Sequence, residues 1–498
     1  MLFRPILGVL RTTNKTKEAN MLFNSLEFLI FLPIVFLLYW YVFRKRQIQN
    51  LLIVISSYIF YGWWDWRFLI LIVFTSLCSY GCGLLIVYYE GQRRIQQIVS
   101  MLNIVLNLCI LVAFKYYNFF IENLEAVLGI FGWKFDWITI NIILPVGISF
   151  YTFQALSYTI DIYKKKIKPT HDLIEFCAYI SFFPQLVAGP IERATNLLPQ
   201  FQKKRTFEYT KAVDGSRQML CGFFKKLVIA DNCAMIVNEY WNHYQELPGL
   251  ALIALGILFT FQIYCDFSGY SDIAIGCARL FGFNLIQNFN YPYFSKSIPE
   301  FWRRWHISLM TWFRDYIYFP LGGSKCGRWK TICNTLIVFF VSGLWHGANW
   351  TFVCWGIYHA FLISLYIILG IKTKKNENLV KDSFLPSIKE VCQISLTFTL
   401  VVIGWIIFRA ESIYQAVDYF YCMITNPFIG DRFFLLYILY GVLLLLVEWL
   451  QRDKQHVLQF SAKWPFNNRW IRYTIYYIIL IFISQNLTHQ QTFIYFQF

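Results

Sequence analysis

The stretch TICNTLIVFFVSGLWHGANWTFVCWGIYHAFLISLYIILGI, residues 331–371, decides the fold. It contains no Asp, Glu, Lys or Arg, and it is about twice the ~20 apolar residues that cross a bilayer as one helix. A polar turn, Trp345-His346-Gly347-Ala348-Asn349-Trp350, divides it into two apolar segments joined at a histidine. Basic residues flank both ends, Arg328 and Lys330 before it and Lys372 after it. Both ends therefore belong on the cytoplasmic side, with the turn deep in the membrane. Fifteen helical steps from Thr331 place the His346 imidazole ~22 Å from that boundary. An ionisable group at such depth is expensive and faces a protein interior or a water-filled cavity. Imidazole titrates near neutrality and is the commonest general base. The competing reading is a structural histidine hydrogen-bonded to a neighbouring helix.

The whole chain extends this picture. Of its 498 residues 57% are hydrophobic, 20% aromatic and 14% charged, against about 25% charged in soluble domains. That composition indicates an all-α polytopic membrane protein whose first partner is the lipid bilayer. The net charge of +16 would suit a nucleic-acid binder, but the basic residues fall in short clusters between apolar runs. This is the positive-inside pattern, and it speaks against nucleic acid. The 13 cysteines form no C-x-x-C pair, and most, such as Cys78, Cys109 and Cys354, sit in apolar runs. They read as small buried hydrophobes, not as disulfides or zinc ligands. Residues 1–20 differ in character from the rest of the chain and read as an extension ahead of a natural start at Met21. Residues 21–498 then form a single membrane-embedded domain.

Candidate spans lie near 25–43, 51–63, 67–88, 97–121, 139–161, 217–238, 249–271, 331–347, 350–371, 389–408, 432–450 and 472–488, about 11–12 transmembrane helices. Arg44-Lys45-Arg46, Arg93-Arg94, Lys164-Lys165-Lys166, Lys203-Lys204-Arg205 and Lys372, Lys374 and Lys375 mark cytoplasmic loops. Loops near 122–138, 239–248 and 409–431 carry few positive charges and face outward. The run 173–191 has basic clusters on both flanks and contains Pro184 and Gly189-Pro190, so a re-entrant segment is expected there. From Ile298 to Tyr318 the chain is rich in Trp and Arg (Trp302, Arg303, Arg304, Trp305, Trp312, Arg314) with Asp315 and a second candidate, His306. That composition predicts an amphipathic helix or helical pair at the cytoplasmic interface, its arginines snorkelling.

The residues limit the chemistry. No H-E-x-x-H, Cys/His cluster, phosphate loop or G-x-S-x-G occurs, so neither a metal nor a nucleophile elbow is expected. His171, His243, His456 and His489 lie in loops or at the ends of apolar runs, and mid-helix His359 is the one competitor to His306 and His346. Asp266-Phe267-Ser268-Gly269-Tyr270-Ser271-Asp272, at the cytoplasmic end of an apolar run, reads either as a helix cap or as support for a polar tunnel. A neutral imidazole in a dry cavity suits proton removal from a hydroxyl attacking an acyl carbon, with Arg, Trp N–H or a second His stabilising the oxyanion. On these residues alone, acyl transfer and a transporter with a histidine proton relay stand level.

Several motifs together resemble the membrane-bound O-acyltransferase family, and within it the bacterial alginate O-acetylation branch. They are Phe301-Trp302-Arg303-Arg304-Trp305-His306-Ile307-Ser308-Leu309, Trp312-Phe313-Arg314-Asp315-Tyr316, Gly343-Leu344-Trp345-His346-Gly347-Ala348, the Asp266–Asp272 stretch and the terminal Phe493-Ile494-Tyr495-Phe496-Gln497-Phe498. The resemblance runs from about Met21 to the carboxy terminus. It implies a ring of helices around a thin centre pierced by a tunnel, with His346 as catalytic base and His306 as a second histidine nearer the cytoplasmic mouth. Trp302, Arg303, Arg304, Trp305, Ser308, Arg314, Asp315, Trp345, Asn349, Asp266, Ser268, Tyr270 and Asp272 become supporting or substrate-binding candidates. It further implies no permanently bound cofactor, a cytoplasmic acyl donor (acetyl-CoA or an acylated carrier protein), an extracytoplasmic esterase-like companion protein, an exported polysaccharide as final acceptor, and residence in a bacterial cytoplasmic membrane. The D-alanyl transfer proteins of teichoic acid modification are near relatives sharing both histidines. Tyr318-Phe319-Pro320-Leu321-Gly322-Gly323 looks more like the alginate branch.

Overall fold

The computed structural model describes residues 21–133, 144–371, 385–429, 432–460, 468–487 and 491–494, without the side chains of 432–436. Residues 1–20, Lys372, Lys374, Lys375, His489 and Tyr495–Phe498 lie outside the described residues, as do positions 134–143 of the expected outward loop and span. Every regular element among the described residues is helical: α1 (Leu26–Leu37), α2 (Arg46–Gly62), α3 (Leu69–Tyr88), α4 (Arg93–Lys115), α5 (Tyr117–Ile130), α6 (Ile148–Tyr163), α7 (Leu173–Ser181), α8 (Phe183–Leu186), α9 (Ala194–Gln202) and α10 (Tyr209–Phe223). Next come α11 (Asp231–Trp241), α12 (Gly249–Leu280), α13 (Ile298–Arg304), α14 (Ile307–Phe313), α15 (Arg328–His346), α16 (Trp350–Ile368), α17 (Ile388–Arg409), α18 (Ile413–Thr425), α19 (Arg432–Leu450) and α20 (Arg469–Asn486).

Five of these helices are long and apolar enough to cross a membrane, ending at Tyr88, Lys115, Leu280, Ile368 and Arg409. Shorter apolar helices run Leu26–Val42, Leu173–Leu186 and Tyr437–Leu450. Large apolar side chains on their outer faces are open, among them Met101, Leu102, Ile30 and Leu396. A water-facing surface does not carry so much apolar area, whereas lipid covers it without penalty. The outer faces also hold Cys109, Cys333 and Cys392, which are exposed, contrary to the expectation that the cysteines are buried.

The basic clusters meet at one end of the molecule. Arg46 pairs with Glu175 and donates to the Gln202 carbonyl, Arg205 donates to Asn50, and Lys165 pairs with Glu90. At the opposite end Tyr244 donates to Asp418, Asn349 to the Glu411 carbonyl, and Trp350 to Asn123. The expected outward loops are partly helical there, as α5 and α18. The 173–191 segment leaves the basic end at Glu175, breaks at Phe182 and approaches Gly147 through its Leu186 and Val187 backbone. It then returns, its course continuing through α9 to Gln202 beside Arg46. Its non-helical residues are buried by protein, the condition under which irregular backbone is tolerated at depth.

Two boundaries differ from expectation for one reason. The 249–271 run continues to Leu280, and the 217–238 run extends from Tyr209 to Trp241 through a π-helical turn at Phe224–Ala230. Their polar residues are paired inside the protein: Lys225 contacts Asp272 at 3.1 Å and Glu448 at 3.5 Å, and Lys226 contacts Asp231 at 2.8 Å and Asp266 at 2.7 Å. The partners meet because glycines let α10 and its π turn lie against α12. A Cβ at Gly222 would sit 2.5 Å from the Gly269 carbonyl oxygen, and one at Gly276 would overlap that of Gly215. Lipid supplies no hydrophobic drive between helices, so close backbone approach and polar pairing carry the association.

Gly276→Ala is therefore expected to lower stability by about 1–3 kcal/mol through overpacking. Gly81→Ala, on α3 with nothing within 4 Å of the added methyl, should hold or raise it. Thermal unfolding of the two purified variants in one detergent checks this ordering.

Candidate active site

Helix α15 ends at His346 and α16 begins at Trp350, with Asn349 between them. Asn349 is the N-cap: its Oδ1 accepts from the Thr351 amide at 3.0 Å. The hairpin is tight because a Cβ on Gly343 would overlap the Phe352 carbonyl and one on Gly356 that of Phe339. A helix ending here leaves carbonyls that need donors. Tyr116 donates to the Leu344 carbonyl at 2.7 Å, while Lys115 Nζ donates to the carbonyls of Trp345 at 2.6 Å and His346 at 3.1 Å. Both donors stand where the expected 97–121 span breaks, between α4 and α5.

The His346 imidazole is held edge-to-face by three rings, Trp345 at 4.9 Å, Trp355 at 5.0 Å and Phe408 at 5.3 Å between centroids. It also lines a partly open pocket together with Lys115, Leu144, Pro145, Val146, Gly147, Ile148, Ser149, Phe150, Val187 and Trp345. The pocket lies toward the end opposite the basic clusters, where α4 terminates. Gly147 shapes its wall: φ is +76°, and a Cβ would sit 2.5 Å from the Leu186 carbonyl. No other residue type lets the 186–187 segment come in to close that side.

His306 is buried, and its ring meets the Trp345 indole at 5.8 Å, so one tryptophan touches both histidines. It is the N-cap residue of α14 in the left-handed region (φ +44°), a conformation that few non-glycine residues adopt. Asn288 holds it there. Asn288 Nδ2 donates to Ser271 Oγ at 3.2 Å, and its Oδ1 accepts from the Ser308 amide at 3.2 Å and the Ser308 hydroxyl at 2.9 Å. An oxygen already fixed as acceptor requires a donor from His306 Nδ1, 3.1 Å away. The neutral ring is therefore the Nδ1–H tautomer, with the lone pair on Nε2. Nε2 makes no hydrogen bond among the described residues. In this tautomer the free Nε2 lone pair can accept a proton.

The 298–318 segment is a helical pair, as expected, with one side buried in the protein and Arg303 and Arg314 open on the other. Trp302, Arg304, Trp305, His306 and Ser308 are all buried. Trp302 packs on His359 and Trp355, Trp305 on Trp405 and Phe289, and Arg304 pairs with Glu300 at 2.8 Å. Aromatic stacking and an internal ion pair supply here what lipid headgroups would supply a snorkelling arginine. Arg303 and Arg314 are exposed, and Asp315 bridges Arg314 and Arg193, away from both histidines.

The Asp266–Asp272 stretch is neither a cap nor the end of an apolar run; it is mid-helix in α12 and wholly buried. Asp266 and Asp272 are counter-ions to Lys226 and Lys225. Asp266 also accepts from the Ile494 amide at 2.7 Å, and Lys226 donates to the Gln491 carbonyl, so this cluster fixes the segment 491–494. Phe493 in turn packs on Tyr270 and on Phe267, whose ring meets His306 at 4.6 Å. The Ser268 and Tyr270 hydroxyls have no hydrogen-bond partner among the described residues. His359 is buried among Trp302, Trp355 and Tyr358. Among the described residues no group of three or more His, Cys, Asp or Glu could hold a metal.

Lys115, Asn288 and the Lys225/Lys226 pair were missed in the sequence. Lys115 carried a signal, as the one charged residue in the 97–121 run. Asn288 carried none, since its role exists only once the turn of His306 is formed. In 15N-histidine spectra of the purified protein, one Nδ1-protonated imidazole should vanish in His306→Gln and become a tautomer mixture in Asn288→Ala. An Nε2-protonated His306 in the unsubstituted protein would contradict the assignment.

The chain matches the family model of MBOAT, the membrane-bound O-acyltransferase family, over residues 55–377. It is 41% identical over 397 residues to the probable alginate O-acetylase AlgI of Pseudomonas aeruginosa, covering 80% of this chain and 73% of the relative. It is 32% identical over 427 residues to the peptidoglycan O-acetyltransferase of Helicobacter pylori (80% and 78%) and 30% identical over 284 residues to the teichoic acid D-alanyltransferase of Bacillus subtilis (54% and 70%). A helical protein of apolar spans, with a histidine exposed to a pocket at an intramembrane helix break, thus belongs to the membrane-bound O-acyltransferases, and it is an acyltransferase.

Proposed function

We propose that this protein transfers an acetyl group from a cytoplasmic thioester donor, through the membrane, to a hydroxyl acceptor entering by the His346 pocket, and so serves O-acetylation of an exported polysaccharide. The observation that carries the reading is that His346, at the end of α15, lines a partly open pocket at the end opposite the basic clusters. The imidazole takes the acceptor's hydroxyl proton as the oxygen attacks the acetyl carbonyl carbon. The tetrahedral intermediate then expels the donor's thiolate, which receives the proton back from the imidazolium. Burial among three aromatic rings excludes bulk water and limits hydrolysis of the donor. His306, held as the Nδ1–H tautomer by Asn288, offers a second proton acceptor beside the same indole.

The identities to acetylating relatives, each covering about four-fifths of this chain, support acetyl as the group moved. Acetyl-CoA and an acylated carrier protein both provide such a thioester. On this reading the enzyme sits in a bacterial cytoplasmic membrane, and an esterase-like companion outside passes the acetyl group to the glycan.

His346→Ala should lower ester-linked acetate on the cell's exported glycans by at least about 100-fold while the variant still inserts and unfolds at a similar temperature. Mass spectrometry of the polymer reads the result. Undiminished acetylation ends the proposal, an alanyl ester replaces it with D-alanyl transfer, and glycan movement by purified protein without a donor replaces it with transport.

A further inference from the structure

The pocket that exposes His346 contains one cation among the described residues, Lys115. Its Nζ is fixed by the carbonyls of Trp345 and His346, at 2.6 and 3.1 Å, and stands 5.8 Å from the centre of the Trp345 ring. Among the described residues it has no carboxylate partner. An ammonium has three protons to donate. Two are taken by these carbonyls, and the third remains for a group in the pocket. These two bonds tie Nζ to the backbone of His346 and of the residue before it, so the charge stays beside the reacting atoms. Tyr116 already caps the Leu344 carbonyl, and a neutral donor would have sufficed for the remaining carbonyls. A charge at this depth is an expensive way to end a helix.

We propose that Lys115 is a catalytic residue, supplying the hydrogen bond and positive charge that stabilise the oxyanion of acyl transfer at His346. The inference rests on the acyltransfer reading above. In the step, the acceptor oxygen forms a bond to the carbonyl carbon of the acyl thioester and its proton passes to His346. The carbonyl π electrons move onto oxygen, where the third N–H of Lys115 donates to them. When the carbonyl re-forms, the carbon–sulfur bond breaks and the thiolate leaves as thiol with the proton from His346. Lys115 stays protonated throughout.

The test uses the full-length protein in nanodiscs with an acyl thioester donor and its hydroxyl acceptor, comparing Lys115→Met, Lys115→Ala and Lys115→Arg. Lys115→Met should lower kcat by about 100-fold or more with KM for the acceptor changed little. Lys115→Arg should retain more activity than Lys115→Met. Methylammonium or ethylammonium added to Lys115→Ala should restore turnover in proportion to its concentration, whereas tetramethylammonium, which has no N–H, should not. A purely structural cap would show instead a lowered unfolding temperature, kcat within about threefold of the unsubstituted enzyme and no amine rescue, and that pattern overturns the proposal. If the unsubstituted protein transfers no acyl group at all, the acyltransfer reading fails first; if it does transfer and Lys115→Met keeps its kcat, only the role of Lys115 falls.

Discussion

A helix that stops inside a membrane must find donors for its last carbonyls, and this requirement organises the structure. α15 ends at His346 within the protein, and the carbonyls of Leu344, Trp345 and His346 take their partners from neighbouring side chains. Tyr116 and Lys115 provide them, which obliges α4 to end at the same level and the chain to turn there into α5. Asn349 does the same work for the amides that open α16. The break that presents an imidazole to a pocket is thus stabilised by groups from another part of the chain, and the position of the histidine is fixed through backbone bonds.

Around that break the fold solves a packing problem with two materials. Rings fill the middle: Trp302, Trp305, Trp355, Trp405 and Phe408 pack on one another, and Trp302, Trp345 and Trp355 meet His346 and His359 edge-to-face. Glycines thin the walls, at Gly343 and Gly356 in the hairpin and at Gly147 beside the pocket. Large rings and absent side chains in alternation leave the His346 pocket narrow and mostly apolar.

Much of the architecture was legible in the sequence because apolar runs report directly on lipid contact. The spans predicted at 67–88, 331–347 and 389–408 end within a few residues of the helices that start at Trp66, Arg328 and Ile388. The histidine at the turn was legible for the same reason, as polarity interrupting such a run. The misreadings share another cause. Trp302 and Arg304 look the same in sequence whether they meet headgroups or other side chains, and only the contacts of Arg304 with Glu300 and of Trp302 with His359 decide. Asp266 and Asp272 looked like a helix end because their counter-ions lie on a different helix, on a π turn whose register no hydrophobic period reveals. Asn288 is 18 residues from the ring it orients and becomes visible only through the hydrogen bonds around it.

The ion cluster between α12 and the π turn also bears on how the chain is made. On insertion scales a lysine or aspartate near a helix centre costs about 2.5–3.5 kcal/mol when the helix enters lipid alone. Lys225 and Lys226 emerge from the ribosome on one arm, Asp266 and Asp272 on the next, separated by the short link 242–248. Released one at a time from the translocon, either arm would be a poor candidate for the bilayer. Held in the channel until both are present, they neutralise each other and can leave sideways as one hairpin, with the glycine contacts already zipped.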